Sequence, residues 1–64
     1  MNHERLLTPA DAADYLRLHA KTVIRMARLA KLPALRLGKH WRFRAVDLTA
    51  WAAEQVESNR QPHE

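Results

Sequence analysis

The chain of 64 residues contains no cysteine, a single glycine and no long run of apolar residues. Without cysteine it can form neither a disulfide framework nor a cysteine-based zinc site. No apolar run approaches the length that crosses a membrane, and the first five residues lead into no apolar segment, so we expect neither a transmembrane helix nor a signal peptide. The sequence predicts one small domain over residues 1–64, located in the cytoplasm.

Groups that could perform catalysis or bind a metal are also few. The single serine, Ser58, lies in a polar C-terminal segment, and there is no glycine-rich phosphate loop. We therefore do not expect an enzyme. The four histidines, His3, His19, His40 and His63, lie far apart and show no metal-ligand spacing. The sequence predicts no metal site and no cofactor.

Acidic residues are missing from the middle of the chain. Between Tyr15 and Val46 there are nine basic residues and no acid, whereas the flanking segments contain two basic and all seven acidic residues. The middle therefore carries +9 and the flanks −5. The nine basic residues are Arg17, Lys21, Arg25, Arg28, Lys31, Arg36, Lys39, Arg42 and Arg44. Such an accumulation of one sign indicates a polyanionic partner.

Two short helices are predicted for the first half. Thr8 at the N-cap, Pro9 at the first helical position and Asp11 approximate a capping box and predict a helix that ends at about Leu16. After a short turn in which we expect Leu18 to be buried, a second helix is predicted over 20–30. Its apolar face comprises Val23, Met26, Ala27 and Ala30, and its basic face Lys21, Arg25 and Arg28. Because like charges at this spacing repel, the basic face indicates binding rather than stability.

From residue 34 onward the helical period gives way to alternation. Apolar residues alternate with arginines on both sides of Gly38, which predicts a two-stranded hairpin with a turn at 38–40. The inward side chains are predicted to be Leu35, Leu37, Trp41 and Phe43, and the outward ones Arg36 and Arg42. Lys39 and His40 are expected at the tip.

A third helix is predicted over 45–57, followed by a tail, residues 58–64, that we expect to fray. The inner side of this helix is predicted to contain Leu48, Trp51, Ala52 and Gln55. The ordered part is thus expected to span about 6–57. The predicted fold is α+β and mainly helical: a small winged helix-turn-helix, in the order helix, turn, helix, β-hairpin wing, helix.

In a helix-turn-helix unit the second helix lies in the major groove of DNA. Lys21, Thr22 and Arg25 are the candidates at the start of this helix: Lys and Arg bind guanine, and Thr either binds a phosphate or places its methyl against thymine. Arg28, one turn further along, is expected to reach a phosphate.

The predicted hairpin supplies further candidates. Its tip, with Lys39 and His40, is narrow enough for an adjacent minor groove or the backbone. Arg17, Arg36 and Arg42 are the remaining candidates for phosphate contacts.

Five segments, in this order and spacing, resemble the excisionase-type winged helix-turn-helix proteins, which are related to the DNA-binding domain of MerR regulators. They are residues 7–16, 21–25, 31–34, 37–43 and 47–51. The resemblance implies a second helix in the major groove and a wing in the minor groove, and so singles out Lys21, Thr22, Arg25, Arg28, Lys39 and His40. The family usually has glycine where Arg17 stands, serine where His19 stands, and often glycine where Ala30 stands.

The resemblance implies sequence-specific binding of double-stranded DNA. One role is that of a recombination directionality factor, which bends attachment-site DNA and cooperates with an integrase; the alternative is a small transcriptional regulator of the MerR-like type. Because so small a domain contacts few base pairs, we expect cooperative self-association on DNA. Either role places the protein on a bacterial or phage nucleoid. An alternative of another class is a protein-interaction adaptor whose third helix and acidic ends dock a partner.

Overall fold

The computed structural model describes residues 5–59, which form three helices and a three-stranded antiparallel sheet. In chain order the elements are β1 (Leu6–Leu7), α1 (Pro9–Leu16), α2 (Ala20–Arg28), β2 (Leu35–Leu37), β3 (His40–Arg44) and α3 (Ala45–Asn59). The strands are arranged in the order β1-β3-β2. The predicted mainly helical winged helix-turn-helix is confirmed, with β1 as an additional strand.

The capping box at the start of α1 is formed as predicted. The Thr8 hydroxyl accepts a hydrogen bond from the Asp11 N–H, and the Thr8 N–H donates to the Asp11 carboxylate, both at 3.1 Å. The hydrogen bond from the Thr8 N–H lowers the pKa of Asp11 most, followed by the Thr8 hydroxyl; the charges of Arg5 and Arg42 add to this effect. The box therefore marks the first residue of α1 and favours the ionised form of its first carboxylate.

Both α1 and α2 end with a residue in the left-handed conformation. Arg17 (φ 61°) follows α1 and Ala30 (φ 60°) lies just beyond α2. In each case the next residue donates its N–H back into the helix: Leu18 to Ala13 O at 2.9 Å, and Lys31 to Met26 O at 2.8 Å. This is the Schellman pattern, in which glycine is the usual residue because it has no Cβ.

These helix ends correct two of the predictions. Ala30 was expected on the apolar face of the second helix, but α2 ends at Arg28 and Ala30 is exposed in the turn beyond it. Leu18 was expected to be buried, but 40% of its surface is accessible. The reversal of the chain at each left-handed residue directs the following backbone away from the helix axis, which a helical period cannot predict.

The wing differs from the predicted hairpin by one residue in the turn. Leu37 pairs with His40, so the turn contains only Gly38 and Lys39, and His40 is the first residue of β3 rather than part of the tip. Gly38 has the positive φ (66°) that two-residue hairpin turns require. Moving the register by one residue exchanges the faces of a strand, because side chains alternate.

As a result, the two leucines of β2 lie on the face opposite the aromatic residues. Leu35 pairs with Arg42 and Arg36 pairs with Trp41. The prediction that Leu35 and Leu37 point inward beside Trp41 and Phe43 is wrong, and so is the prediction that Arg36 points away from them. Leu37 is 49% exposed.

The core consists of seven buried side chains contributed by α1, α2, the loop after α2, β3 and α3. They are Ala12, Ala13, Val23, Ala27, Leu32, Phe43 and Leu48. Three alanines at the interface between α1 and α2 allow the two helices to approach closely. Within residues 5–59 no polar or charged side chain is buried, so the fold depends on a small apolar core in which Phe43 and Leu48 are the largest fully buried residues.

The third helix packs against the sheet and is linked to α1. Leu48 is buried, and Trp51, Ala52 and Gln55 are half-buried, as predicted. The Tyr15 hydroxyl lies 2.8 Å from the Thr49 hydroxyl, which joins α1 to α3. The helix continues to Asn59, two residues past the expected end, and the rest of the predicted tail lies outside the described residues.

Candidate nucleic-acid interface

The basic face of α2 is fully displayed on the surface. Lys21, Arg25 and Arg28 are exposed and Thr22 is half-buried. The opposite side of the helix is held in the core through Val23 and Ala27. Because α2 contains no acidic residue, none of these three cations has a partner of opposite charge on its own helix.

The first turn of α2 leaves backbone donors open. His19 occupies the N-cap in an extended conformation (φ −79°, ψ 145°), and its side chain makes no capping hydrogen bond. The first intrahelical bond runs from the Val23 N–H to the His19 carbonyl at 3.0 Å. The N–H groups before Val23 thus have no partner within the helix, and they lie at the positive end of the helix dipole, beside Lys21.

Together with α1, this helix forms a two-helix unit with a tight connection. Residues 17–19 separate α1 from α2. The left-handed Arg17 turns the chain, and its side chain is exposed at the corner. The packing of alanines from α1 against Val23 fixes the direction in which α2 presents its basic face.

A comparison with protein families matches residues 6–56 to the Helix-turn-helix domain. The chain belongs to the helix-turn-helix domain family. The match extends from β1 into α3 and so includes the wing as well as the two-helix unit. This is a DNA-binding family, and membership makes DNA the partner of this domain. A comparison with curated proteins gave no match.

The wing of this helix-turn-helix domain presents a second group of basic residues. Lys39 is exposed in the two-residue turn, and His40 is exposed at the start of β3. The Arg42 Nη1 donates to the carbonyl of Trp41 at 2.7 Å, and its side chain is half-buried. Arg36 lies against Trp41 rather than extending from the strand, with its guanidinium carbon 4.8 Å from the ring centroid.

The structure therefore divides the sequence-predicted site residues into two sets and one isolated member. The helix set is Lys21, Thr22, Arg25 and Arg28, and the wing set is Arg36, Lys39, His40 and Arg42. Arg17 stands alone in the turn before α2. Two further basic residues of the acid-free middle of the chain were not among the candidates: Lys31 is exposed beyond α2, and Arg44 forms an ion pair with Asp47 at 3.7 Å.

A concave surface elsewhere on this domain has a different character. A groove of about 610 Å³ lies between α3 and the segment that connects α2 to β2. Leu32 and Trp51 form part of its walls, and Asp47 and Glu54 bring carboxylates to it. Lys31 also lines the groove, so its charges are mixed, whereas the face of α2 formed by Lys21, Arg25 and Arg28 is uniformly basic.

Other kinds of site find no support in the described part of the chain. Within residues 5–59 no three His, Asp or Glu side chains are grouped so that they could hold a metal ion. His3 and His63 lie outside this range. No helix among the same residues is long and apolar enough to cross a membrane.

Proposed function

We propose that this helix-turn-helix domain binds double-stranded DNA sequence-specifically, with α2 in the major groove and the wing against an adjacent minor groove or the phosphate backbone. The observation that carries the proposal is the basic face of α2, exposed and free of acids, directly opposite the face held by Val23 and Ala27. An α-helix fits the major groove of B-DNA, where base edges are distinguishable. A recognition helix also needs a fixed orientation, and the packing of Val23 and Ala27 in the core favours one.

Within this proposal Lys21, Thr22 and Arg25 contact bases. They occupy the first two turns of α2, the part of a recognition helix that approaches base edges. The open N–H groups before Val23 favour a phosphate oxygen at the same end of the helix. Arg28, one turn further along, contacts phosphate.

The wing and Arg17, in the turn before α2, add contacts that hold the domain on the duplex. Lys39 and His40 approach the neighbouring minor groove or backbone, and Arg17 and Arg42 approach phosphates. Phosphate contacts fix the register of a protein on DNA and supply much of its affinity, whereas base contacts supply the sequence preference.

As the biological role we propose a recombination directionality factor that bends attachment-site DNA and cooperates with an integrase. Its support is the resemblance of the five segments to excisionase-type proteins, in a chain whose described elements follow the same order. A small transcriptional regulator of the MerR-like type would use the same surface. A gene for an integrase beside the gene for this protein favours the first role, and a bent complex that retains purified integrase on an attachment-site duplex tests it directly.

The test of DNA binding is fluorescence anisotropy of the full chain with two labelled duplexes, the DNA that flanks its own gene and a scrambled copy, each over a salt series. We expect tighter binding to the native duplex that persists near physiological salt. The matched variants are Arg25→Ala, in the helix set, and Lys31→Ala, which removes the same charge outside both sets. Equal, salt-sensitive binding to both duplexes would contradict sequence-specific recognition.

Absence of binding to either duplex at low salt would overturn the placement of α2 in the groove. That outcome would favour the protein-interaction adaptor instead. The groove lined by Leu32 and Trp51 would then be the first surface to test for a protein partner.

A further inference from the structure

Arg36 makes two contacts within the wing that a freely extended arginine would not make. It lies directly opposite Trp41 in the β2–β3 register, with its guanidinium over the indole ring at 4.8 Å. From that position its Nε donates to the Gly38 carbonyl at 3.1 Å. A planar guanidinium can stack on a ring and donate in its own plane at the same time, which a lysine ammonium cannot reproduce.

The carbonyl that Arg36 binds belongs to the turn that carries Lys39. This turn projects from the molecule: a Cβ at Gly38 would meet no atom within 4 Å. Strand β2 contains only three residues, and a short two-stranded hairpin is marginally stable by itself. The tip therefore depends on local contacts for a fixed position.

Trp41 connects these contacts to the interior. It is half-buried and packs against the core cluster, next to the fully buried Phe43 on the same face of β3. A continuous path thus runs from the core through the Trp41 ring and the Arg36 guanidinium to the Gly38 carbonyl. Lys39, the next residue, is exposed and makes no contact of this kind.

We infer that Arg36 is a positioning residue of the wing: it holds the Gly38–Lys39 turn against Trp41 and thereby sets where Lys39 meets DNA, instead of serving as an independent phosphate contact. The part of this inference that concerns DNA rests on the proposed function. The part that concerns the wing does not, and the two can be tested separately.

The first test uses the isotopically labelled full chain without DNA. Arg36→Met keeps the apolar stem and removes the charge and the guanidinium. Arg36→Lys keeps the stem and the charge but lacks the planar guanidinium. Lys31→Met is the matched control for loss of a cation elsewhere. We expect the amide heteronuclear NOE values of Gly38 and Lys39 to fall in both Arg36 variants and to stay at parental values in Lys31→Met. The inference would be overturned if the heteronuclear NOE values of Gly38 and Lys39 in Arg36→Met equalled those of the parent.

The second test is a double-mutant cycle of DNA affinity with Arg36→Met and Lys39→Ala. We expect each single variant to bind roughly threefold to tenfold more weakly, the scale of one lost phosphate contact. If Arg36 acts through Lys39, the double variant binds like Lys39→Ala alone and has the same salt slope. The inference would be overturned if the affinity losses of the two single variants multiplied in the double variant and its salt slope became shallower by about a further 0.9. That result would show that Arg36 contacts phosphate itself.

The two tests separate failure of this inference from failure of the proposed function. If the parent protein binds no duplex, the proposed function fails, and the DNA part of the inference fails with it. Loss of order at Gly38 and Lys39 in Arg36→Met would still support the wing contact in that case. If the parent binds DNA and the tip stays ordered without Arg36, only the inference fails.

Discussion

Ala30 adopts a left-handed conformation that its side chain disfavours, at an exposed position in the turn after α2. For an L-residue this conformation costs about 1–2 kcal/mol. Glycine avoids that cost, but part of the gain is offset because glycine loses more conformational entropy on folding. We expect Ala30→Gly to stabilise the domain by about 0.5–1 kcal/mol, which corresponds to a rise in Tm of about 2–8 °C for a chain of this size. Thermal unfolding followed by circular dichroism measures the shift.

The control for this substitution is Ala53→Gly, at an exposed position in the interior of α3. There the same change should destabilise by about 1 kcal/mol, because the backbone is helical. If both variants lost stability alike, residue 30 would not be left-handed in solution. Arg17 has the same conformation, but its side chain is a candidate DNA contact, so its replacement would alter two properties together.

Arg25 and Lys39 are expected to differ in what they contribute to binding. Arg25→Ala should lose about 1–3 kcal/mol of preference for the specific duplex, because a base contact is removed. Lys39→Ala should weaken specific and scrambled duplexes by similar factors and make the salt slope shallower by about one unit. Anisotropy titrations give, for each variant, the ratio of its affinities for the specific and the scrambled duplex. If this ratio in Arg25→Ala equalled that of the parent, the assignment of Arg25 to base contacts would be contradicted.

Among the elements, α1 depends on the ionisation of its capping carboxylate. Hydrogen bonding to Thr8 lowers the folded-state pKa of Asp11 below its ordinary value of 3.8. Its contribution to stability is therefore complete above the unfolded pKa and is lost as the pH falls through the folded pKa. We expect Asp11→Asn to be less stable than the parent near neutral pH, and the difference to shrink as the pH falls below about 4.

Unfolding midpoints between pH 2 and pH 7 would measure this dependence. Asp14→Asn is the matched control, since Asp14 is an exposed carboxylate on the same helix and takes no part in the capping box. A stability difference between Asp11→Asn and the parent that stays constant over this range would mean that the carboxylate charge does not contribute.

The elements also show which kinds of signal a sequence carries. The start of α1 was predictable because the Thr8–Asp11 capping box is made by residues three apart. The face of β2 was not, because it depends on whether the turn contains two residues or three, and the alternation around Gly38 fits both. Strand β1 has only two residues and exists because Leu7 pairs with Phe43, far along the chain, so no local period reveals it.

The same distinction applies to the candidate site. The basic face of α2 follows from residues at helical spacing and could be predicted. The contact of Arg36 with Trp41 could not, because it appears only when the two strands are paired in the observed register. The sequence identifies Arg36 as basic, and the pairing places it against a ring.

For the whole molecule, we expect affinity for DNA to fall steeply with salt. If about four to six phosphates are neutralised, the slope of the logarithm of the association constant against the logarithm of salt concentration should be roughly −3.6 to −5.4. Anisotropy measured from low to physiological salt determines this slope, and Lys31→Ala serves as the reference for loss of a charge outside the proposed interface. A slope near zero would contradict binding through the basic surface.

The separation of positive and negative charge between α2 and α3 also affects how the protein approaches DNA by diffusion. Helix α2 carries three cations and no acid, whereas α3 carries three acids and no cation. A molecule with such an asymmetric distribution turns in the field of a polyanion during diffusion. More of its encounters with a duplex therefore begin with α2 in front, and the association rate rises above that of a molecule with the same net charge spread evenly.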